Sequence, residues 1–141
     1  SPLEGLPLTS LDLSNTRITD LSPLRGMLLQ DLSLYGCSGV TDITPLTGMP
    51  ITKLHLRATA VRDLGPLRKM PLTFLSLFGC TQLTDLGPLE GLKLASLDLT
   101  NTRVQDLSPL RGMPLTSLDL NGCAQLRDLS PIRDIELTQL D

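Results

Sequence analysis

The chain has no tryptophan, one tyrosine and two phenylalanines in 141 residues. Large rings usually dominate the packing of a core, so their scarcity excludes an interior built around a few big anchors. Hydrophobic residues nonetheless reach 40%, most of them leucine, which implies many similar aliphatic layers. Basic residues are also short: 12 Lys and Arg against 15 Asp and Glu give a net charge of −3 and a pI near 5.0. Nucleic acids and anionic membranes are poor partners for such a chain, because both need a basic footprint. No apolar run approaches the roughly 18 residues of a membrane span, and the opening SPLEGLPLTS shows no signal-peptide core. One histidine and three cysteines without a C-x-x-C pair form no zinc ligand set. No metal or cofactor is expected.

What the chain does have is a period. The segments 7–27, 28–49, 50–70, 71–92, 93–113 and 114–135 all end in a version of D-(L/I)-x-P-(L/I)-x-x-(M/L/I), and their lengths alternate between 21 and 22 residues. The larger unit is therefore 43 residues, present as 7–49, 50–92 and 93–135. Odd members carry NTRI, ATAV and NTRV; even members carry GCSGV, GCTQL and GCAQL, one residue longer. Residues 1–6 match the end of a repeat and 136–141 the beginning of one, so 1–141 reads as a single repeat domain without separate caps. Leu137 and Leu140 then stand near an open edge that permits end-to-end self-association.

Each segment opens L-x-x-L-x-L, as in Leu8, Leu11 and Leu13. The L-x-L portion has the period of two of a short strand with one buried face. Ser22, Thr44, Ser108 and Ser130 each precede a proline, the pairing of a hydroxyl N-cap with Pro at the first helical position. So few residues follow that a single 3₁₀ or α turn is expected. Gly26, Gly48, Gly91 and Gly112 suit the exit from it. One strand and one turn cannot bury a face alone, whereas stacked coils can.

The composite pattern L-x-x-L-x-L-x-x-(T/C)-x-(I/V)-x-D-L-x-P-L-x-x-(L/M) resembles the leucine-rich repeat. Its D-(L/I)-x-P-L ending is most similar to short bacterial, internalin-like repeats, and the even coils resemble the cysteine-containing repeats. The resemblance implies an α/β repeat solenoid, a right-handed arc with a parallel β-sheet on the concave side and short 3₁₀/α turns on the convex side. It also implies that the repeated Thr or Cys points inward and hydrogen-bonds the backbone of the turn. Cys37, Cys80 and Cys123 recur in alternate coils, about 10 Å apart at ~4.8 Å per strand step. That is too far for a disulfide, whose Cα atoms lie about 4.4–6.8 Å apart. Buried free thiols are expected, which fits a reducing, cytoplasmic compartment. Asp20, Asp42, Asp63, Asp85, Asp106 and Asp128 stack along one edge and raise the question of calcium. No Gly-rich nonapeptide accompanies them, and a structural role in accepting backbone N–H bonds at the turn entry is favoured.

Function must lie where outward strand positions diverge. The row before the central leucine reads Ser10, Asp31, Lys53, Phe74, Ser96, Ser117, Gln139; the row after it reads Asp12, Ser33, His55, Ser76, Asp98, Asp119, Asp141. A third row reads Ser14, Tyr35, Arg57, Phe78, Thr100, Asn121. All three aromatics and the sole histidine fall in these rows, beside Lys53 and Arg57. Arg57 lies one strand from both Tyr35 and Phe78, close enough for cation–π stacking. Tyr35, Lys53, His55, Arg57, Phe74, Ser76 and Phe78 are the candidate partner-binding residues, with the composition of an interface hot spot. Such stacking could instead only stabilise the sheet. Ser33 and Ser76 flank His55, but an open sheet offers neither a water-excluding pocket nor an oxyanion hole. A non-enzymatic protein- or peptide-binding module is therefore expected. The alternatives are a consensus or engineered scaffold without a ligand, the interaction domain of a larger bacterial protein, and a carbohydrate binder.

Overall fold

The computed structural model describes residues 6–141. Seven short strands run in sequence order through one open parallel sheet: β1 (Ser10–Asp12), β2 (Asp31–Ser33), β3 (Lys53–His55), β4 (Phe74–Ser76), β5 (Ser96–Asp98), β6 (Ser117–Asp119) and β7 (Gln139–Leu140). Single 3₁₀ turns separate them, at Ser22–Leu24, Thr44–Leu46, Gly65–Leu67, Gly87–Leu89, Ser108–Leu110 and Ser130–Ile132. The result is an α/β repeat solenoid with the sheet on its concave side and the turns on its convex side.

Near-equal coil lengths fix the register. Leu11, Leu32, Leu54, Leu75, Leu97, Leu118 and Leu140 pair successively into one ladder. The extra residue of the even coils is taken up after the strand, where the N–H groups of Ser38, Thr81 and Ala124 donate to the carbonyls of Gly36, Gly79 and Gly122. Strand pairing is undisturbed. The core is accordingly a stack of like layers; in coil 50–70 it comprises Ile51, Leu54, Leu56, Val61, Leu64 and Leu67, none more than 1% exposed. At the β7 end Leu129 and Leu140 remain about half exposed, at 50% and 48%.

The three cysteines are free and buried. Thr16, Thr59 and Thr102 donate their hydroxyls to the carbonyls of Leu13, Leu56 and Leu99. From the following coil, the thiols of Cys37, Cys80 and Cys123 donate to those same carbonyls, each at 3.1 Å. One carbonyl is thus shared by a Thr coil and a Cys coil, which gives the 43-residue unit a physical basis. Burial pushes the Cys80 thiol above its ordinary range, so it stays protonated and keeps donating.

The turn entry corrects one expectation. Ser22, Thr44, Ser108 and Ser130 do not cap their turns through their hydroxyls; the N-cap positions are Leu21, Ile43, Leu107 and Leu129, and no side-chain cap bond is made there. The carboxylate one residue earlier does the work instead. Oδ1 of Asp20, Asp42, Asp63, Asp85, Asp106 and Asp128 accepts the N–H two residues on, at 2.7–2.8 Å. A carboxylate is the stronger acceptor, and its reach of two residues closes an Asx turn ahead of the proline.

This ladder predicts an acid response. The hydroxyl and then the N–H of Ser22, Thr44 and Ser108 hold Asp20, Asp42 and Asp106 below the usual 3.8. At Asp128 the Ser130 N–H comes first and the hydroxyl second. A carboxyl depressed on folding stabilises the native state above its unfolded value, and that contribution fades as pH falls through the lower folded value. Stability should therefore decline from about pH 4 downward. Asp42→Asn/Asp106→Asn keeps an oxygen acceptor but removes two titrating groups. Urea midpoints followed from roughly pH 7 to 2 should fall less steeply for this variant than for the wild type.

Turn exits also carry a prediction. Gly26, Gly48, Gly91 and Gly112 adopt φ of 76°, 73°, 78° and 67°, with open space where a Cβ would sit. Only the left-handed backbone calls for glycine there. Lys69 holds the equivalent place at φ 62°, and a side chain in that region is strained. Lys69→Gly should raise stability by about 0.5–1 kcal/mol after the entropy of the freer unfolded chain is subtracted. A higher thermal midpoint would show it.

Candidate functional site

Parallel pairing in register places the three divergent rows side by side on the concave face. Asp31, Lys53 and Phe74 are Cα partners, as are Ser33, His55 and Ser76. The third row lies just beyond the strands, where Gly36 N–H donates to the Arg57 carbonyl and Ala58 N–H to the Phe78 carbonyl. Backbone pairing thus continues through Tyr35, Arg57 and Phe78.

Arg57 is clamped between rings. Its guanidinium carbon lies 4.3 Å from the Phe78 centroid and 5.3 Å from the Tyr35 centroid. The Nε is buried without a hydrogen-bond acceptor. Among the described residues the one ion pair is Arg133 with Asp134, 3.6 Å apart at a distant exposed turn. Arg57 is therefore a partly desolvated cation with aromatic neighbours and no anionic one. His55 packs on Phe74, centroids 4.7 Å apart and planes tilted by 40°. Tyr35 is 43% exposed and Lys53 is exposed, while His55, Arg57, Phe74 and Phe78 are half-buried.

Ser76 departs from the expectation. It occupies the outward row, yet it is only 2% exposed and its hydroxyl donates to Asp98 Oδ2 at 3.1 Å. It supports the neighbouring strand and offers no surface to a partner. Ser33 is likewise engaged, its hydroxyl 2.7 Å from that of Ser14. Neither serine hydroxyl is bonded to His55. Acidic groups flank the cationic strand on both sides: Asp12 accepts the Ser14 N–H, Asp98 the Thr100 N–H and Asp119 the Asn121 N–H. The Ser14 hydroxyl, then the Ser14 N–H, hold Asp12 below the ordinary carboxylate value, so it stays charged. The link from Ser76 to Asp98 escaped the sequence reading: the row sets the two residues side by side in adjacent strands, but does not say that they bond.

No group of three or more His, Cys, Asp or Glu among the described residues is arranged to hold a metal ion. No helix among them is long and apolar enough to cross a membrane.

Comparison with known proteins agrees with this geometry. The family model described as Leucine Rich Repeat matches residues 7–27. No curated protein sequence matches the chain. Among solved structures, internalin C2 of Listeria monocytogenes superposes with a TM-score of 0.72 at 29% identity, over 95% of this chain and 70% of its own. A second Listeria monocytogenes internalin, inlF, gives 0.82 at 28% identity, over 99% of this chain and 49% of its own. This chain thus spans only about half the length of inlF. A recurrent L-x-x-L-x-L pattern, the match on its first coil and two internalin structures that follow nearly every residue make the chain similar in fold to the internalin leucine-rich-repeat solenoids.

Proposed function

We propose that the chain is a non-enzymatic recognition module that binds a protein or peptide on its concave face, centred on Tyr35, Lys53, His55, Arg57, Phe74 and Phe78. One observation carries this reading: an arginine held between two aromatic rings with a buried Nε and no acceptor. If the cluster served the sheet alone, leaving a desolvated donor unpaired would work against it, by roughly 1–3 kcal/mol. A partner's carboxylate on the terminal N–H groups of the same guanidinium would offset that penalty with charge-assisted bonds. Aromatic and Arg anchors ringed by small polar residues are the composition of binding hot spots, and leucine-rich-repeat domains are protein-interaction modules. Ser76 is withdrawn from the contact set because of its burial.

The test is partner capture with a folded Tyr35→Ala/Arg57→Ala/Phe78→Ala variant as the comparison. Partners recovered by the wild type should be lost by the variant while its circular dichroism is retained. Equal recovery by both proteins would move recognition off this face. If neither protein recovers a partner, a scaffold whose regular 43-residue period is its main property becomes the better reading.

A further inference from the structure

We infer that the partner places a single Asp or Glu side chain on Arg57 and carries basic residues on either side of it. The inference rests on the concave-face reading above and names the chemistry that face selects. Phe78 and Tyr35 lie over the guanidinium at 4.3 and 5.3 Å, so ligands are kept from its two faces. Its Nε is buried, but the terminal nitrogens are not among the buried atoms and bond no acceptor among the described residues. What remains open is the outer edge, with two N–H groups side by side. A carboxylate meets such an edge with both oxygens in the plane of the fork. Partial desolvation strengthens the attraction, because a cation already removed from water gives up less hydration when the anion arrives.

The surroundings choose among anions. Lys53, His55 and Arg57 lie on or just beyond β3, and Asp31 is the register partner of Lys53. Asp12 and Asp98 lie two strands away on opposite sides, roughly 10 Å each. Asp119 lies beyond Asp98. The face is therefore a narrow cationic strip between two acidic flanks. A polyanion centred on Arg57 would press its next charges against Asp12 and Asp98. A polypeptide with one central acid and flanking Lys or Arg satisfies all three zones, and such complementarity governs specificity and approach.

The experiment pans the immobilised full chain with a random twelve-residue peptide phage library and synthesises the enriched sequences. The expected peptides share one Asp or Glu with Lys or Arg nearby. Changing that acid to its amide should weaken binding to the wild type roughly tenfold or more. The same change should have little effect on Arg57→Gln, and Arg57→Lys should lose much of the preference despite keeping the charge. Thermal midpoints near the wild-type value certify both variants as folded. Peptides that lose binding to Tyr35→Ala/Phe74→Ala yet ignore the acid-to-amide change leave the concave-face reading standing and overturn the carboxylate. Peptides indifferent to every concave substitution overturn both. Enrichment of polyacidic peptides, or of no sequence at all, overturns the acid-with-basic-flanks assignment.

Discussion

Leu54→Ala is expected to destabilise the protein by about 3 kcal/mol, within the 2–5 kcal/mol range of buried leucine truncations. Leu54 is fully buried, and its ladder neighbours Leu32 and Leu75 are fully buried too. Removing its side chain leaves a void between coils whose backbones are locked by parallel pairing on both sides, so the walls cannot close in. The loss falls on two interfaces at once, β2 with β3 and β3 with β4. In a one-dimensional stack, stability is a sum of such nearest-neighbour terms, and a central defect is the most damaging kind. The thermal midpoint should drop by roughly 10 °C. Leu11→Ala is the control. Leu11 is only half-buried and is paired on one side, with Leu32, so its truncation should have less than half the effect. Equal losses at the two positions would contradict the stacked-layer account.

Much of this was legible in the sequence, for a simple physical reason. When coils have nearly constant length, equivalent residues must lie beside one another, so the rows read from the repeats are the register partners in the sheet. The same logic placed Arg57 between Tyr35 and Phe78 and both rings lie over it. What the period could not show is how side chains share partners. Ser76 stands in an outward row but is covered and bonded to Asp98, because two hydroxyl-to-carboxylate neighbours one strand apart turn toward each other. The turn entry failed similarly. A Ser-Pro pair matches the capping pattern, yet the N–H groups that such a hydroxyl would cap go to the carbonyls of Leu21 and Ser22, or Leu107 and Ser108, while Asp20 and Asp106 accept the serine's own N–H. In both cases the sequence lists the groups correctly, and local geometry decides which of them pair.

Arg57→Ala is expected to leave stability nearly unchanged while weakening partner binding by about 2–4 kcal/mol, or roughly thirty- to a thousand-fold in Kd. Two opposing terms set the first half of that statement. Stacking on Phe78 and Tyr35 contributes about 0.5–1 kcal/mol per ring at a partly exposed site. The buried, unpaired Nε opposes it by about 1–3 kcal/mol. Their near-cancellation should keep the change in unfolding free energy within about 1 kcal/mol. Binding breaks the balance, since a partner's carboxylate adds charge-assisted bonds to the terminal N–H groups while the stacking stays. Truncation then forfeits the charge-assisted bond and exposes two rings that had been spaced by the guanidinium. A sheet-stabilising cluster predicts the reverse, a clear fall in stability and no change in Kd. Denaturant titration and calorimetry on the same variant separate the two, and a coupling cycle with Phe78→Ala shows whether the ring acts through Arg57 or on the partner directly.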